Sequence, residues 1–164
     1  MPSVEENETI IAFDIDVDDI TQIEIKSKTD TITINKNKDD YSILEYPHAR
    51  LLKTNVAMPF RTVDTIVAST VIDQVTDYEQ YGLGDASKSV NITYKDKTKR
   101  NLYIGNIDPT DTYYYVKNDT EEKVYVVNKY NISSLNYSID DFRDKNYGEF
   151  NMSTLTKFEL YENG

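Results

Sequence analysis

Apolar residues alternate with polar ones in several short stretches of this chain, and that spacing limits its fold more than any other feature. Ile23 and Ile25 share one face of the stretch ITQIEI. Ile32 and Ile34 repeat the pattern in TITIN. Successive side chains of a β-strand point to opposite faces, so a period of two indicates a strand. The polar KSKTD between the two stretches is typical of a turn, and the sequence therefore predicts an antiparallel hairpin here.

The alternation continues along the chain and predicts a sheet of several strands. YSILEY (residues 41–46) predicts a third strand, which Pro47 ends because proline cannot continue a ladder of hydrogen bonds. Later stretches with the same pattern are SVNITY, NLYIG, TYYYVK and KVYVVNK. SSLNYS and SIDDFRDKN indicate short helical turns, the second with Ser138 and Asp141 at the spacing of a capping box.

The stretch after Pro59 departs from this alternation and predicts the principal helix. Its side chains, mostly apolar, recur at intervals of three and four residues, as on one stripe of a helix. They are Val63, Ile66, Val67, Thr70, Val71, Gln74 and Val75. Thr62 suits the N-cap, and Asp64 suits the first turn, where a carboxylate meets the helix dipole. The predicted fold class is therefore α+β, with a mostly antiparallel β-sheet, one principal α-helix and short helical turns near the C-terminus.

Two glycines in QYGLGDASKSVNITY could belong to a phosphate-binding loop or to the end of a helix. A phosphate loop follows a strand and precedes a helix, whose N-terminal N–H groups face the anion. Here the predicted helix comes before Gly82 and a predicted strand comes after Gly84. Gly82 instead suits the left-handed position that ends a helix, with Leu83 folding back onto the last turn. The sequence therefore predicts a helix stop and no nucleotide site.

Charge and composition exclude several classes of function. The 164 residues carry a net charge of −11, which repels the phosphate backbone of nucleic acids and anionic membrane surfaces. Cysteine is absent, which removes disulfides, thiolate metal sites and thiol nucleophiles. No apolar run approaches the ~18 residues of a membrane-spanning helix. We therefore expect no binding to nucleic acid, and no membrane-spanning segment within this sequence.

Few side chains stand out as candidates for catalysis. The one histidine, His48, lies in EYPHARL without the signature of a nucleophile elbow or a triad. The carboxylates are so numerous that no pair can be singled out as the dyad of a hydrolase. Arg143, between Asp141 and Asp144, indicates local ion pairs. The sequence therefore predicts no catalytic residue and no cofactor site.

The acidic stretch FDIDVDD is the strongest candidate for a metal site. Asp14, Asp16 and Asp18 would share one face of an extended chain. A calcium loop that begins at Asp14 needs glycine where this chain has Asp19, and glutamate where it has Ile25. The stretch therefore predicts a solvated lead-in to the first hairpin, and we expect no metal ligand.

Tyrosine is unusually abundant, with 14 residues against 5 phenylalanines. Its ring packs inward on a half-buried strand while its hydroxyl group stays in water. In TYYYV, Tyr113 and Tyr115 would face one side of a strand, and Tyr114 would face the other with Val116. One interpretation is a sheet with one set in the core and one on the surface. The alternative is a ligand-binding face in which Tyr113, Tyr114 and Tyr115 contact a glycan or a peptide.

Several motifs in a fixed order resemble the bacterial domain-of-unknown-function family 4340. They are Tyr81-Gly82-Leu83, Ile104-Gly105, Tyr114-Tyr115-Val116 and Asp141-Phe142-Arg143-Asp144-Lys145, preceded by ITQIEIKSKTDTITI, which looks like the family's opening hairpin. The resemblance covers residues 13–150. It implies no catalytic residues. It implies a protein of the bacterial cell envelope held by one N-terminal transmembrane helix, and some members resemble auxiliary components of ABC-type transport systems associated with gliding motility.

The resemblance also implies an organisation of the chain. Residues 1–12 would be a linker or disordered arm that follows a removed membrane anchor, and residues 13–150 one α+β domain. Residues 151–164 would form a terminal strand, which either completes this domain or begins a second repeat. In that strand TLTKFELY resembles the opening hairpin, and Phe158 and Leu160 are expected to be buried on one face.

The expected function is that of a non-catalytic, extracytoplasmic scaffold or accessory module of a membrane-anchored envelope protein. Its partners would be proteins of the envelope, with no nucleic acid and with the membrane reached only through the missing N-terminal anchor; the oligomeric state stays open. A module that binds glycan or peptide through a tyrosine-rich sheet face is the alternative. A carboxylate-based hydrolase is a more distant one.

The helix-stop interpretation predicts the effect of replacing Gly82. A left-handed backbone conformation is strained for any residue with a Cβ atom, so Gly82→Ala should lower the free energy of unfolding by on the order of 1 kcal/mol. Urea denaturation measures this change. A nucleotide should bind neither form, and nucleotide binding abolished by the substitution would contradict the interpretation.

Overall fold

Antiparallel strands make up most of the regular structure in the computed structural model, which describes residues 8–85 and 87–144. The strands in these residues are β1 (Ile10–Asp14), β2 (Ile20–Lys26), β3 (Thr31–Asn37), β4 (Asp40–Ile43), β5 (Thr65–Ala68), β6 (Thr70–Ile72), β7 (Lys88–Tyr94), β8 (Lys99–Ile107), β9 (Tyr113–Asn118) and β10 (Val124–Asn128). The helices are α1 (Lys53–Val56), α2 (Met58–Thr62) and α3 (Ile139–Phe142), with 3₁₀ segments at Glu79–Tyr81 and Lys129–Asn136.

Eight of the strands in the described residues form one antiparallel sheet in the order β4-β3-β2-β7-β8-β9-β10-β6. The remaining two, β1 and β5, pair with each other as an antiparallel ribbon. The predicted first hairpin is confirmed, since Ile23 of β2 lies opposite Ile34 of β3. β2 also pairs with β7, where Ile23 lies opposite Ile92. The fold class is α+β with a mostly antiparallel sheet, as predicted.

The hydrophobic core lies on one face of this sheet, which we call the core face. Its strand residues are those of the predicted alternation, and they include Ile23, Ile25, Ile34, Val90, Ile92, Leu102, Ile104, Val116 and Val127. The ribbon and the short helices cover them, with Phe60 of α2, Leu135 and Phe142 all buried in the same cluster. The opposite face, which we call the outer face, therefore carries the alternating polar and aromatic residues.

The predicted principal helix over residues 63–75 is wrong. α2 ends at Thr62, and the stretch that follows forms the two strands β5 and β6. Ile66 is fully buried whereas its neighbour Val67 is 38% exposed, which is the alternation of a strand. Short apolar runs satisfy both periods, and the β-branched Thr, Ile and Val of TIVASTVI favour the extended conformation. Within the described residues no α-helix exceeds the five residues of α2.

Both ends of the chain differ from the predicted organisation or lie outside the described residues. β1 begins at Ile10, so residues 10–12 belong to the ribbon with β5 and not to the predicted arm. Residues 1–7 and 145–164, and with them the predicted terminal strand with Phe158 and Leu160, are outside the described residues. The predicted capping box is confirmed at α3, where the N–H of Ser138 donates to the Asp141 carboxylate at 2.8 Å.

Because residues 65–68 form a strand, substitutions at two neighbouring positions should lower the free energy of unfolding by different amounts. Ile66→Ala should lower the free energy of unfolding by about 2–5 kcal/mol, because it removes a fully buried side chain and leaves a cavity. Val67→Ala should cost less than about 1 kcal/mol, because its side chain is partly in water. Urea denaturation of both variants tests the strand. Equal, large losses would indicate the helical stripe that the sequence suggested.

Candidate functional site

A segment between β6 and β7 crosses the outer face of the sheet and forms one wall of a groove. We call residues 73–85 the strap. The ring of Tyr81 packs on the ring of Tyr115 in β9, with 4.9 Å between their centroids. The hydroxyl group of Tyr78 donates to the backbone oxygen of Glu122 at 3.0 Å, in the turn between β9 and β10. These contacts hold the strap against the half of the sheet that contains β8, β9 and β10.

Gly82 turns the strap at its closest approach to the sheet. Its φ is +71°, in the left-handed region, as the sequence predicted. Its N–H donates to the oxygen of Glu79 at 2.9 Å, and the N–H of Leu83 donates to the oxygen of Tyr78 at 3.0 Å. This pair of bonds is the Schellman motif that ends helices. The helix-stop interpretation is confirmed, although the glycine ends a single 3₁₀ turn and not a long helix.

Gly105 on β8 leaves the space that the strap occupies. A Cβ atom at Gly105 would lie 2.2 Å from the backbone oxygen of Tyr81 and 3.0 Å from Cγ of Leu83. A Cβ atom at Gly82 would lie 2.4 Å from the side-chain oxygen of Asn106 and 2.7 Å from its backbone nitrogen, so the loss from Gly82→Ala should exceed the ~1 kcal/mol expected from the left-handed backbone alone. The strap backbone therefore rests directly on β8, beside an irregularity in the pairing of β8 with β9.

The groove lies between the strap and the turn of the β2–β3 hairpin, and its volume is about 670 Å³. A transverse row of side chains forms its floor, because Lys26 is paired with Ser89, Ser89 with Tyr103, and Tyr103 with Lys117. Three strand spacings of ~4.8 Å give this row a span of about 14 Å. The other lining residues are Ser27, Lys28, Tyr78, Leu83, Gly84, Asp85 and Ser87.

Lysine side chains give this groove a local positive charge in an acidic protein. The Nζ atom of Lys117 lies 5.6 Å from the ring centroid of Tyr78 and 5.8 Å from that of Tyr103. It also donates to the backbone oxygen of Asn118 at 3.2 Å. Lys26 and Lys28 are exposed at the hairpin end of the groove. Among the described residues, none of these three lysines forms an ion pair with a carboxylate.

A smaller cavity of about 360 Å³ adjoins the groove, and the two share Ser27, Lys28 and Ser87. Lys88 lines this cavity, and its Nζ atom donates to the side-chain oxygen of Asn136 at 2.8 Å. Burial lowers the pKa of Lys88 from its ordinary value. The described linings of the two cavities therefore contain four amino groups, those of Lys26, Lys28, Lys88 and Lys117.

Carboxylates on the neighbouring part of the outer face are occupied by donors. Glu24 accepts a hydrogen bond of 2.8 Å from the amide nitrogen of Asn91. Asp119 accepts from Nε of Arg100 at 3.0 Å and from the backbone N–H of Asn101 at 2.8 Å. Asp119 is thus paired with a guanidinium group and Glu24 with a neutral amide, and within the described residues neither forms an ion pair with a lysine of the row. Asp85 is the one carboxylate in the described lining of the larger groove.

The three tyrosines of the predicted ligand-binding face are divided between the two faces of the sheet. Tyr114 packs against the core, whereas Tyr115 lies on the other face beneath Tyr81, so the predicted alternation is confirmed. Tyr113 is half-buried, and its N–H donates to the Asp108 carboxylate at 2.9 Å. The three tyrosines therefore do not form one continuous surface. A ligand-binding role for them stays a prediction.

The aromatic residues in the described lining of the groove are Tyr78 and Tyr103, and neither is among the candidates that the sequence indicates. Tyr103 alternates with the buried Leu102 and Ile104, and this pattern could have placed it on the outer face. Its position between Ser89 and Lys117 could not have been read from the pattern, because it depends on the pairing of β8 with β7 and β9.

The other candidate side chains lie apart from the groove. His48 is exposed, and no described residue bonds to its side chain. The carboxylate of Asp16 accepts from the N–H of Asp18 at 2.9 Å. The described residues contain no group of three or more His, Cys, Asp or Glu side chains placed to hold a metal ion.

Arg143 forms a local ion pair, as predicted, but with a different partner. Its guanidinium group lies 3.6 Å from the carboxylate of Asp140. Asp141 is engaged in the capping box, and Asp144 lies 3.7 Å from Arg50. The pair therefore spans one turn of α3. Both side chains are exposed, so this ion pair contributes little to stability.

The chain is thus an α+β protein whose mainly antiparallel sheet carries a strap across its outer face. The family model described as domain of unknown function (DUF4340) matches residues 55–164, which is two thirds of the 164 residues, and the chain belongs to that family. The matched range begins after the first hairpin, which the sequence analysis had included in the resemblance. The comparison with curated proteins and the comparison with solved structures find no match. In the described part of the chain no helix has the length and apolar character to cross a membrane.

Three of the motifs that carry the resemblance in the sequence meet at the strap. Tyr81-Gly82-Leu83 forms its turn, Ile104-Gly105 gives it space, and Tyr114-Tyr115-Val116 provides the ring on which Tyr81 packs. All three lie within the matched range. These motifs therefore have a common structural role, which is to place a loop on the outer face of the sheet.

The contact at Gly105 predicts a large effect of a small substitution. Gly105→Ala should lower the free energy of unfolding by at least about 2 kcal/mol, because the new methyl group meets the strap backbone. Gly84→Ala is the matched control and should cost less than about 1 kcal/mol, since its Cβ would meet only the flexible side chain of Glu79, at 3.0 Å from Cγ. Urea denaturation measures both, and equal losses would contradict the contact.

Proposed function

We propose that this chain is a non-catalytic, extracytoplasmic accessory module of a membrane-anchored bacterial envelope protein, and that it acts by binding through its outer face. The proposal rests on the groove between the strap and the turn of the β2–β3 hairpin. Its volume falls within the ~300–1,000 Å³ of ligand pockets, and its lining offers cations, hydroxyl groups and rings. Such groups hold a ligand by charge, hydrogen bonds and stacking.

Membership of the family supports the setting of this proposal. The family resemblance implies an envelope protein with an N-terminal anchor and, for some members, an auxiliary role beside ABC-type transport systems. The absence of cysteine from the 164 residues is compatible with an oxidising compartment, because nothing in the sequence depends on a reduced thiol. The acidic surface is also consistent with the role, since a net charge of −11 favours solubility outside the membrane.

A module that binds glycan or peptide is the second candidate, and the arrangement of tyrosines in the groove favours it. Tyr78 and Tyr103 flank the amino group of Lys117, so both rings are available beside a cation. Tyr113 and Tyr115 lie on the same outer face but beyond the groove lining. This candidate agrees with an accessory role, because an accessory protein can act by recruiting its ligand.

Protease accessibility in the native host tests the proposed setting. The full-length protein should be cleaved within this domain when intact spheroplasts are treated with protease, because the domain would face outward. A cytoplasmic protein should stay intact as an internal control. Protection of the domain until the spheroplasts are lysed would contradict an extracytoplasmic location.

A substrate panel tests the proposed absence of catalysis. The purified chain should turn over no ester, glycoside or phosphate substrate. The described lining of the groove contains one carboxylate, that of Asp85, and a hydrolase of this kind needs two. Release of product is followed by absorbance or by chromatography. Reproducible turnover that is abolished by one Asp or Glu substitution, such as Asp85→Asn, would overturn the non-catalytic proposal.

A further inference from the structure

We infer that the groove beside the strap binds an acidic saccharide, with the acid group at the Lys26 and Lys28 end and a sugar ring on the tyrosines. This inference rests on the proposal that the chain is a binding module and names the ligand class of that site. The transverse row Lys26–Ser89–Tyr103–Lys117 carries it. A cation stands at each end of the row, and a hydroxyl group and a ring lie between them.

The positive charge in the groove is suited to a bound anion. Lys26 and Lys28 enter from the hairpin and Lys117 from the strap side, and within the described residues none of them is paired with a carboxylate. By contrast, Glu24 and Asp119 nearby are held by Asn91 and Arg100. A carboxylate or phosphate group would receive charge-assisted hydrogen bonds from these amino groups.

The other lining residues favour a saccharide over a peptide as the ligand. Ser87 and Ser89 present hydroxyl groups that can pair with the hydroxyl groups of a sugar, whereas the hydroxyl group of Ser27 donates to the backbone oxygen of Asp30. The rings of Tyr78 and Tyr103 can pack on the C–H face of a sugar ring, and the bond from the Tyr78 hydroxyl group to Glu122 fixes the first of them in place. Leu83 is the one aliphatic side chain in the described lining, so the groove offers little to the apolar side chains of a peptide. The open, polar groove therefore suits a short oligosaccharide.

Asp85 limits where the acid group of the ligand can lie in the groove. It lines the same groove as the lysines and would repel an anion placed beside it. The acid group is therefore expected at the Lys26 and Lys28 end, and the neutral part of the saccharide near the strap, beside Tyr78.

Isothermal titration of the full 164-residue chain tests the inference, with trigalacturonate as the acidic probe. Maltotriose is the neutral probe, maltotriose with a terminal phosphate distinguishes phosphate from carboxylate, and a hexaglutamate peptide tests a non-saccharide anion. Binding of either acidic saccharide, at least about tenfold tighter than that of maltotriose, is the expected result. Added salt should weaken it, because exposed charges are screened beyond about 10 Å at 0.1 M salt. Tighter binding of the hexaglutamate peptide than of both acidic saccharides would overturn the assignment.

Matched variants locate the binding site. Lys26→Gln and Lys28→Gln should each weaken binding of the acidic saccharide by about tenfold, the factor expected from one charge-assisted hydrogen bond. Lys53→Gln makes the same change of charge on exposed α1, across the sheet from the groove, and should leave the affinity unchanged. All three positions are exposed, so the variants should fold, as circular dichroism can verify. Equal affinities for the three variants would overturn the site.

The protease experiment tests the proposed location and the titration tests the proposed ligand, so either proposal can be wrong while the other holds. An outward-facing domain that binds no acidic saccharide would remove this inference and leave the proposed setting in place. Saccharide binding by a domain that is protected in spheroplasts would remove the setting and leave the groove as a binding site.

Discussion

The register between β2 and β7 is the constraint on which both faces of the sheet depend. Ile23 opposite Ile92, and Ile25 opposite Val90, put four buried side chains on the core face. A shift of one residue would turn the whole apolar set of one strand toward the outer face, because side chains alternate with a period of two. The same register joins the first hairpin to the part of the chain that matches the family, and it sets Lys26 beside Ser89. Core and groove are therefore determined together.

The strap depends on a second constraint, which is the closeness of two backbones. Gly82 supplies a left-handed turn and Gly105 supplies the missing side chain beneath it. The ring contact of Tyr81 with Tyr115 and the bond from Tyr78 to Glu122 then fix the segment to the strands β9 and β10 and their turn. Without this contact the groove would lose one wall, since Tyr78 and Leu83 both reach it from the strap.

Sequence patterns predicted the parts of this structure that depend on local periodicity. The first hairpin, the strands around Val90 and Leu102, and the capping box at Ser138 follow from spacing alone. The helix over residues 63–75 was wrong because a short run of Ile, Val and Thr satisfies two periods at once. The groove could not be predicted, because Lys26, Ser89 and Lys117 become neighbours only through the order of the strands. Tyr113, Tyr114 and Tyr115 were adjacent in sequence, and their division between two faces was the predictable part.

A basic groove on an acidic chain must select its ligand at short range. The net charge of −11 acts against the approach of any anion, but salt screens it beyond about 8 Å at physiological ionic strength. The described lining of the groove has three amino groups, those of Lys26, Lys28 and Lys117, against the one carboxylate of Asp85, so its local charge is positive. Long, dense polyanions would still meet the surrounding acidic surface, whereas a short ligand with one acid group would meet mostly the lysines. The charge distribution therefore favours recognition of a small acidic unit over general attraction of polyanions.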